Sequence, residues 1–194
     1  MIAGARSVAG QITSFSYCAA YAFGQANVLI VGWNIGEKKQ KACYRITYFA
    51  SILAIGVGVV LEILFASFSP WIGQVFTQDQ TLLTAVRIVL FIDIALEVGR
   101  AGNLVYGNAL KASGDAFFPM IVNVVATLIT VIGGTYLFAV TCRLGAIGAY
   151  IALAADECTR GIFVFFRFRS GKWEKKALVK DQTSKNIQAS DEGK

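Results

Sequence analysis

Histidine is absent from the sequence, and this absence excludes several classes of enzyme. None of the 194 residues is histidine, so Ser-His-Asp and Cys-His catalysis, the HExxH zinc motif and other histidine-ligated metal sites are ruled out. The four cysteines form no CxxC pair, so we expect buried free thiols rather than disulfides or a zinc site. We therefore predict that the chain is not an enzyme and holds no bound cofactor or metal.

Charged residues are also scarce. They make up 15% of the chain, against 56% hydrophobic residues, whereas a soluble domain has about 25% and about 45–50%. The net charge of +6 would permit nucleic-acid binding, but eight of the 18 basic residues follow Phe166, behind the apolar body. A basic tail is typical of the cytoplasmic flank of a membrane protein. The expected partner is therefore the lipid bilayer and not nucleic acid.

Five apolar runs are each long enough to cross a bilayer, which needs about 20 helical residues. They lie at about 12–33, 46–68, 82–105, 117–140 and 144–166. Runs of this length predict helices, because membrane strands are shorter and alternate apolar with polar residues. The predicted fold is an all-α, polytopic transmembrane bundle over residues 1–172, followed by a polar cytoplasmic tail at 173–194 that we expect to be disordered.

The loops between these runs differ in charge. The segment from Glu37 to Arg45 contains four basic residues, whereas Ser69–Thr81 contains none. The positive-inside rule places the first loop and the C-terminal tail in the cytoplasm, and the second loop outside. The prediction is a multi-pass plasma-membrane protein whose Met1 begins outside, and this start on an odd number of helices suggests that an upstream part is missing.

The third run carries ionisable residues, which are costly in a bilayer and usually mark function. Asp93, Glu97 and Arg100 are spaced i, i+4 and i+7, so they share one stripe of a helix. Asn103 and Asn108 lie further along, on or near that stripe. These five residues predict a polar track along one half of the helix.

The fifth run has a similar cluster of Asp156, Glu157 and Arg160. The two clusters lie at similar depth and could share one cavity. Each holds two acids and one arginine, so one acid in each is left to exchange a proton or bind sodium. The competing interpretation is that arginine bridges only tie the helices together. Glu62 lies near the outer end of the second run, and we expect its side chain to reach the interface.

Three segments resemble one transporter family. They are Gly24–Gly36 (GQANVLIVGWNIG), Leu96–Asp115 with its NALKASGD end, and Ala154–Trp173 with AADECTRG and FRFRSGKW. In order and spacing they are similar to the second lobe of bacterial transporters of the multidrug and toxic compound extrusion (MATE) family.

Members of that family have twelve helices in two lobes and exchange cationic or amphipathic compounds for protons or sodium. The resemblance implies that the five runs are helices eight to twelve, an incomplete second lobe whose partner is a missing N-terminal lobe. It implies an efflux antiporter for small cationic or amphipathic organic substrates. One departure is that the acid that some members carry on helix ten falls nearest Arg100, with Glu97 one turn away.

Alternative functions differ in the charges they require. A lipid-linked saccharide flippase of the same superfamily tends to carry several arginines for pyrophosphate, whereas the two clusters here hold four acids and two arginines. An intramembrane aspartyl protease needs Gly-x-Gly-Asp, and Ala112–Asp115 lacks the first glycine. An accessory membrane subunit that only packs against a partner stays open as a further alternative.

Overall fold

The computed structural model describes residues 2–76 and 80–174, and within these ranges it is a bundle of five helices without strands. The helices are α1 (Ile2–Gly36), α2 (Gln40–Phe76), α3 (Gln80–Ala112), α4 (beginning as Phe117–Ala126) and α5 (Gly145–Arg169). Helix α4 continues to residue 141, mostly through wider π-helical turns at Thr127–Gly133 and Tyr136–Thr141. The prediction of an all-α bundle is confirmed, and each helix overlaps the run that predicted it.

Within residues 2–76 and 80–174, two helical segments are long and apolar enough to cross a membrane, by length and composition. The most apolar 18-residue stretch has a mean hydropathy of 2.4 within Gln40–Ser69 and of 2.0 within Phe117–Thr141. The charged clusters lower the hydropathy of α3 and α5, and polar residues such as Gln25 and Asn27 lower that of α1. At 1.5 Å per residue even the 25-residue α5 is about 37 Å long. All five helices are therefore long enough for a hydrocarbon core of about 30 Å.

The loop predicted over Ser69–Thr81 is much shorter than expected, because α2 continues to Phe76 and α3 begins at Gln80. Residues 77–79 lie outside the described part of the chain. Pro70 lies inside α2 and has no N–H to donate to the carbonyl of Ala66. The Ser69 hydroxyl donates to that carbonyl at 2.8 Å instead. The helix therefore continues past a proline that would otherwise interrupt it.

Helix α3 lies at the centre of the bundle, in contact with α1, α2 and α5, whereas α4 packs mainly against α5. The largest buried cluster lies where α1 ends and α2 begins, and it joins those helices to the ends of α3 and α5. Its fully or nearly buried members are Val31, Ile35, Cys43, Tyr106, Ala109, Leu110, Val164, Phe168 and Trp173. This central position of α3 brings its charged stripe into the interior.

The first two residues of the predicted tail pack against the bundle. The Trp173 ring is fully buried and stacks on Phe168 with centroids 5.5 Å apart, and its Nε1 donates to the Phe168 carbonyl at 3.0 Å. The Tyr44 hydroxyl donates to Glu174 at 2.8 Å. The chain reaches these positions by turning at Gly171, where φ is +66°. The prediction of a disordered tail is therefore wrong at its first two residues, because the apolar ring of Trp173 packs into the core although its sequence neighbours are polar.

The tail residues 175–194 lie outside the described part of the chain. The packing of Trp173 leads to a prediction about stability. Trp173→Ala should lower the free energy of unfolding by about 3–5 kcal/mol, the usual cost of emptying a buried aromatic site. Denaturant unfolding of the purified chain in detergent, followed by circular dichroism, measures this loss. The matched control is Trp71→Ala, because the Trp71 ring is 79% exposed. Equal losses in the two variants would contradict the prediction.

Candidate functional site

The acidic stripe of α3 is buried inside the bundle. Asp93 is 1% exposed and Glu97 is fully buried. Arg100 lies at the edge of the stripe, and its Nη1 donates to Glu97 Oε2 at 2.9 Å. Glu97 packs against Gly58 of α2, where a methyl group would lie 2.9 Å from the Glu97 Cγ. A glycine at this position therefore lets α2 approach the buried carboxylate.

One oxygen of each α3 acid is left without a hydrogen bond. Within the described ranges, Asp93 Oδ2 and Glu97 Oε1 are buried and have no hydrogen-bond partner. Buried polar atoms nearly always have one, and unpaired buried carboxylate oxygens are costly. These two oxygens are therefore where a proton or a cation would be stabilised.

Glu62 of α2 belongs to the same buried cluster. Its side chain is fully buried and faces Ser16 of α1 and Asp93 of α3, but neither carboxylate oxygen has a hydrogen bond to a described residue. The prediction that Glu62 reaches the interface is wrong, because α1 and α3 cover the face of α2 from which it projects. The sequence held a signal, since Gly58 and Glu62 are spaced i, i+4 and share that face.

The two asparagines of the predicted polar track face different helices. Asn103 Nδ2 donates to Glu157 of α5 at 3.2 Å. Asn108 is 6% exposed and accepts a hydrogen bond from Lys111 at 3.4 Å, and it lies against Gly24 of α1. The step of five residues from Asn103 to Asn108 corresponds to about 500° of helical rotation. The track therefore divides toward α5 and α1 instead of following one face.

The second cluster ties α5 to α4. Asp156 is 2% exposed and forms an ion pair with Arg160 through Oδ2. The Thr130 hydroxyl donates to its other oxygen at 2.5 Å, and Arg160 Nη2 donates to Thr127 at 2.6 Å. Both carboxylate oxygens of Asp156 are therefore already occupied.

The idea that both clusters share one cavity is wrong for Asp156 and Arg160. Their contacts are with α4, whereas Glu97 contacts α2. Consecutive residues of a helix point about 100° apart, and Glu157 accordingly turns toward α3, where it meets Asn103. Glu157 is thus the one member of the α5 cluster that approaches the α3 site.

Helices α3 and α5 approach each other at two glycines. A methyl group at Gly99 would lie 2.5 Å from the backbone nitrogen of Cys158, and one at Gly161 would lie 2.7 Å from the Gly99 carbonyl oxygen. Small residues allow such close backbone contact between membrane helices. This contact brings Asn103 within hydrogen-bonding distance of Glu157.

Gly99→Ala should lower the free energy of unfolding by about 1–3 kcal/mol, the usual cost of forcing a methyl group into a closely packed interface. Gly102→Ala is the matched control on the same helix, because nothing lies within 4 Å of a methyl group there. We expect this control to be neutral or slightly stabilising, since alanine favours helix more than glycine. Denaturant unfolding of both variants in detergent is the measurement, and a larger loss in the control would overturn the proposed role of Gly99.

The MatE family model matches residues 3–137. The chain belongs to the MatE family. This confirms the resemblance to multidrug and toxic compound extrusion transporters. Over 168 residues the chain is 30% identical to the Uncharacterized transporter YisQ of Bacillus subtilis, covering 87% of this chain and 37% of YisQ. Over 192 residues it is 24% identical to the Probable multidrug resistance protein NorM of Thermotoga maritima, covering 96% of this chain and 41% of that protein.

The chain spans about two fifths of the length of these curated relatives. No solved structure matches it significantly. Members of the MatE family are transporters rather than enzymes and are located in membranes, in agreement with the apolar helices found here. Asp93 and Glu97 are therefore buried acids within a chain of the MatE family.

Proposed function

We propose that this chain forms five helices of the second lobe of an efflux antiporter that exchanges cationic or amphipathic compounds for protons or sodium ions. The observation that carries the proposal is the pair of buried acids on α3, Asp93 and Glu97, each with one unpartnered oxygen beside a single arginine. In a membrane helix such an acid is charged only when a cation accompanies it. Binding and release of an ion therefore change the charge of the site, which is what coupling requires.

The four acids of the two clusters differ in how many of their carboxylate oxygens have a hydrogen-bond or ion-pair partner. Asp156 is bonded through both oxygens, so we assign it to holding α4 against α5. Glu157 is bonded to Asn103 through one oxygen. We assign Asp93 and Glu97 to the coupling site, with Glu97 as the partner of Arg100 and Asp93 as the acid that needs an ion.

The arginines support a cationic substrate over a phosphate-bearing one. Arg100 is paired with Glu97, and Arg160 is paired with Asp156. A flippase for lipid-linked saccharides would need arginines available for pyrophosphate, and both arginines here already carry a carboxylate partner. The name of the Thermotoga maritima relative, a probable multidrug resistance protein, agrees with organic drugs as substrates.

We further propose that the chain works with an N-terminal lobe in the plasma membrane, since transporters built from repeats place the substrate between the repeats. The test is gradient-driven movement of ethidium in proteoliposomes that hold the chain together with that lobe. We expect movement driven by a proton or sodium gradient, and none with the 194-residue chain alone. The absence of dye movement by the assembled protein would overturn the proposal. Binding of the chain to the N-terminal lobe without any movement of dye would favour an accessory subunit.

The proposed orientation places the Lys38–Lys41 loop and the C-terminus in the cytoplasm. We expect a cysteine introduced at exposed Lys39 and the native exposed Cys142 to react with an impermeant maleimide from opposite sides of the membrane. Each is tested as the only cysteine in the chain, in intact cells and in inverted vesicles. Labelling of both from outside would contradict the orientation.

A further inference from the structure

The buried site contains more negative charge than its arginine neutralises. Glu62, Asp93 and Glu97 lie together between α2 and α3, and Arg100 of α3 forms an ion pair with Glu97. Helix α1 packs against both helices but contributes no acidic or basic residue between positions 7 and 36. From α5, Glu157 adds a further negative charge that acts on Glu97, and it accepts a hydrogen bond from Asn103. Three ionised acids and one arginine would leave two uncompensated negative charges inside the bundle.

The unpartnered atoms of the site show which acids are not neutralised by Arg100. The Arg100 guanidinium is bonded to Glu97 and lies 5.6 Å from the Tyr17 ring of α1, so it is held on the Glu97 side. On the other side, both oxygens of Glu62, Oδ2 of Asp93 and the Ser16 hydroxyl are all buried without a hydrogen bond to a described residue. Ser16 is itself fully buried and faces Glu62. The Ser16 hydroxyl, which is polar but not acidic, therefore faces the same buried space as the carboxylates of Glu62 and Asp93.

Two facing carboxylates in a low-dielectric site are stable when one proton lies between them, because like charges at close range cannot both be ionised without a large penalty. A metal ion is a poorer occupant. Among the described residues, no group of three acidic, cysteine or histidine side chains is placed to hold one. The arrangement therefore fits a proton better than a metal ion, sodium included.

We propose that Glu62 and Asp93 share one exchangeable proton, and that Glu62 of α2 is a coupling residue alongside the α3 acids. The proposal rests on the proposed antiporter function and narrows its coupling ion to the proton. The proton binds one carboxylate to give a carboxylic acid that donates to the other carboxylate, with the Ser16 hydroxyl as a further partner. Its release to water on the other side of the membrane restores two carboxylates, so charge and atoms balance. Glu97 stays ionised throughout as the partner of Arg100.

Infrared spectroscopy of the 194-residue chain in lipid nanodiscs tests this directly, because a protonated carboxyl absorbs apart from a carboxylate. At neutral pH we expect a protonated carboxyl absorption in the unaltered chain that falls by at least about half in Glu62→Gln, since one member of the pair is gone. Glu37→Gln is the control, because Glu37 is exposed and paired with Lys39. Full absorption in Glu62→Gln, or an equal loss in Glu37→Gln, would overturn the proposal.

A second measurement needs no substitution and covers the case in which Glu62→Gln does not fold. Dicyclohexylcarbodiimide reacts with protonated carboxyl groups in apolar surroundings, and mass spectrometry identifies the labelled residue. We expect the label on Glu62 or Asp93 at neutral pH. A label on Glu97 instead, or on none of the three, would overturn the shared proton. Neither measurement depends on transport, so a failed efflux assay rejects the antiporter function separately from the proton site.

Discussion

Replacing Glu97 by glutamine should reduce ion-driven efflux to the background of protein-free vesicles while the protein still inserts. Glu97 is fully buried and bonded to Arg100. Glutamine keeps the shape of the side chain but removes its charge, so Arg100 is left to neutralise the neighbouring acid, Asp93. An acid held by an arginine no longer needs an ion in order to be charged. Efflux of a cationic dye from proteoliposomes that hold the chain and its N-terminal lobe measures the effect.

The control for this prediction is Glu37→Gln, which removes the same charge from an exposed position. Lys39 and, to a smaller extent, Trp33 bond to Glu37 and hold the pKa of its carboxyl below the ordinary value. Exposed ion pairs of this kind contribute little to stability, and we expect efflux at the unaltered rate. An unaltered rate in Glu97→Gln would remove Glu97 from the coupling mechanism. Failure of Glu97→Gln to insert would favour the view that the arginine bridge only ties helices together.

The helices could be predicted because each depends on its own stretch of sequence. An apolar run of about 20 residues predicts a membrane helix wherever its neighbours lie, and the i, i+4, i+7 spacing of the α3 charges places them on one face without any knowledge of the partner. The end of α2 was harder to predict. It depends on the Ser69 hydroxyl, which takes the carbonyl that Pro70 leaves without a donor.

The candidate site was only partly predictable, because the neighbours of a side chain depend on how the helices pack. Asp156 and Glu157 are adjacent in sequence, yet one binds α4 and the other meets α3. Glu62 has no charged residue one turn away on its own helix, and the signal that it carried was its i, i+4 spacing from Gly58. Its burial follows from the packing of α1 and α3 over α2. The burial of Trp173 was missed for a similar reason. Its neighbours in sequence are polar, and its apolar contacts are with residues from other parts of the bundle.

Arg100→Ala should destabilise the bundle by about 3–5 kcal/mol, because it leaves the buried Glu97 charge without a cation. The guanidinium is only partly exposed, with 17% of the side chain accessible, and Glu97 is fully buried, so solvent cannot replace the lost partner. Denaturant unfolding of the purified chain in detergent gives the free energy. Arg87→Ala is the control on the same helix, since Arg87 is exposed, and we expect it to cost far less.

The double variant Glu97→Gln/Arg100→Ala separates the cost of an unpaired charge from the cost of lost packing. Removing both members of a buried pair leaves no uncompensated charge, so most of the stability lost in Arg100→Ala should return. If the double variant is as unstable as Arg100→Ala, the loss comes from the missing arginine side chain and not from the charge of Glu97. Recovery would instead mean that the Glu97 charge depends on Arg100 for its compensation.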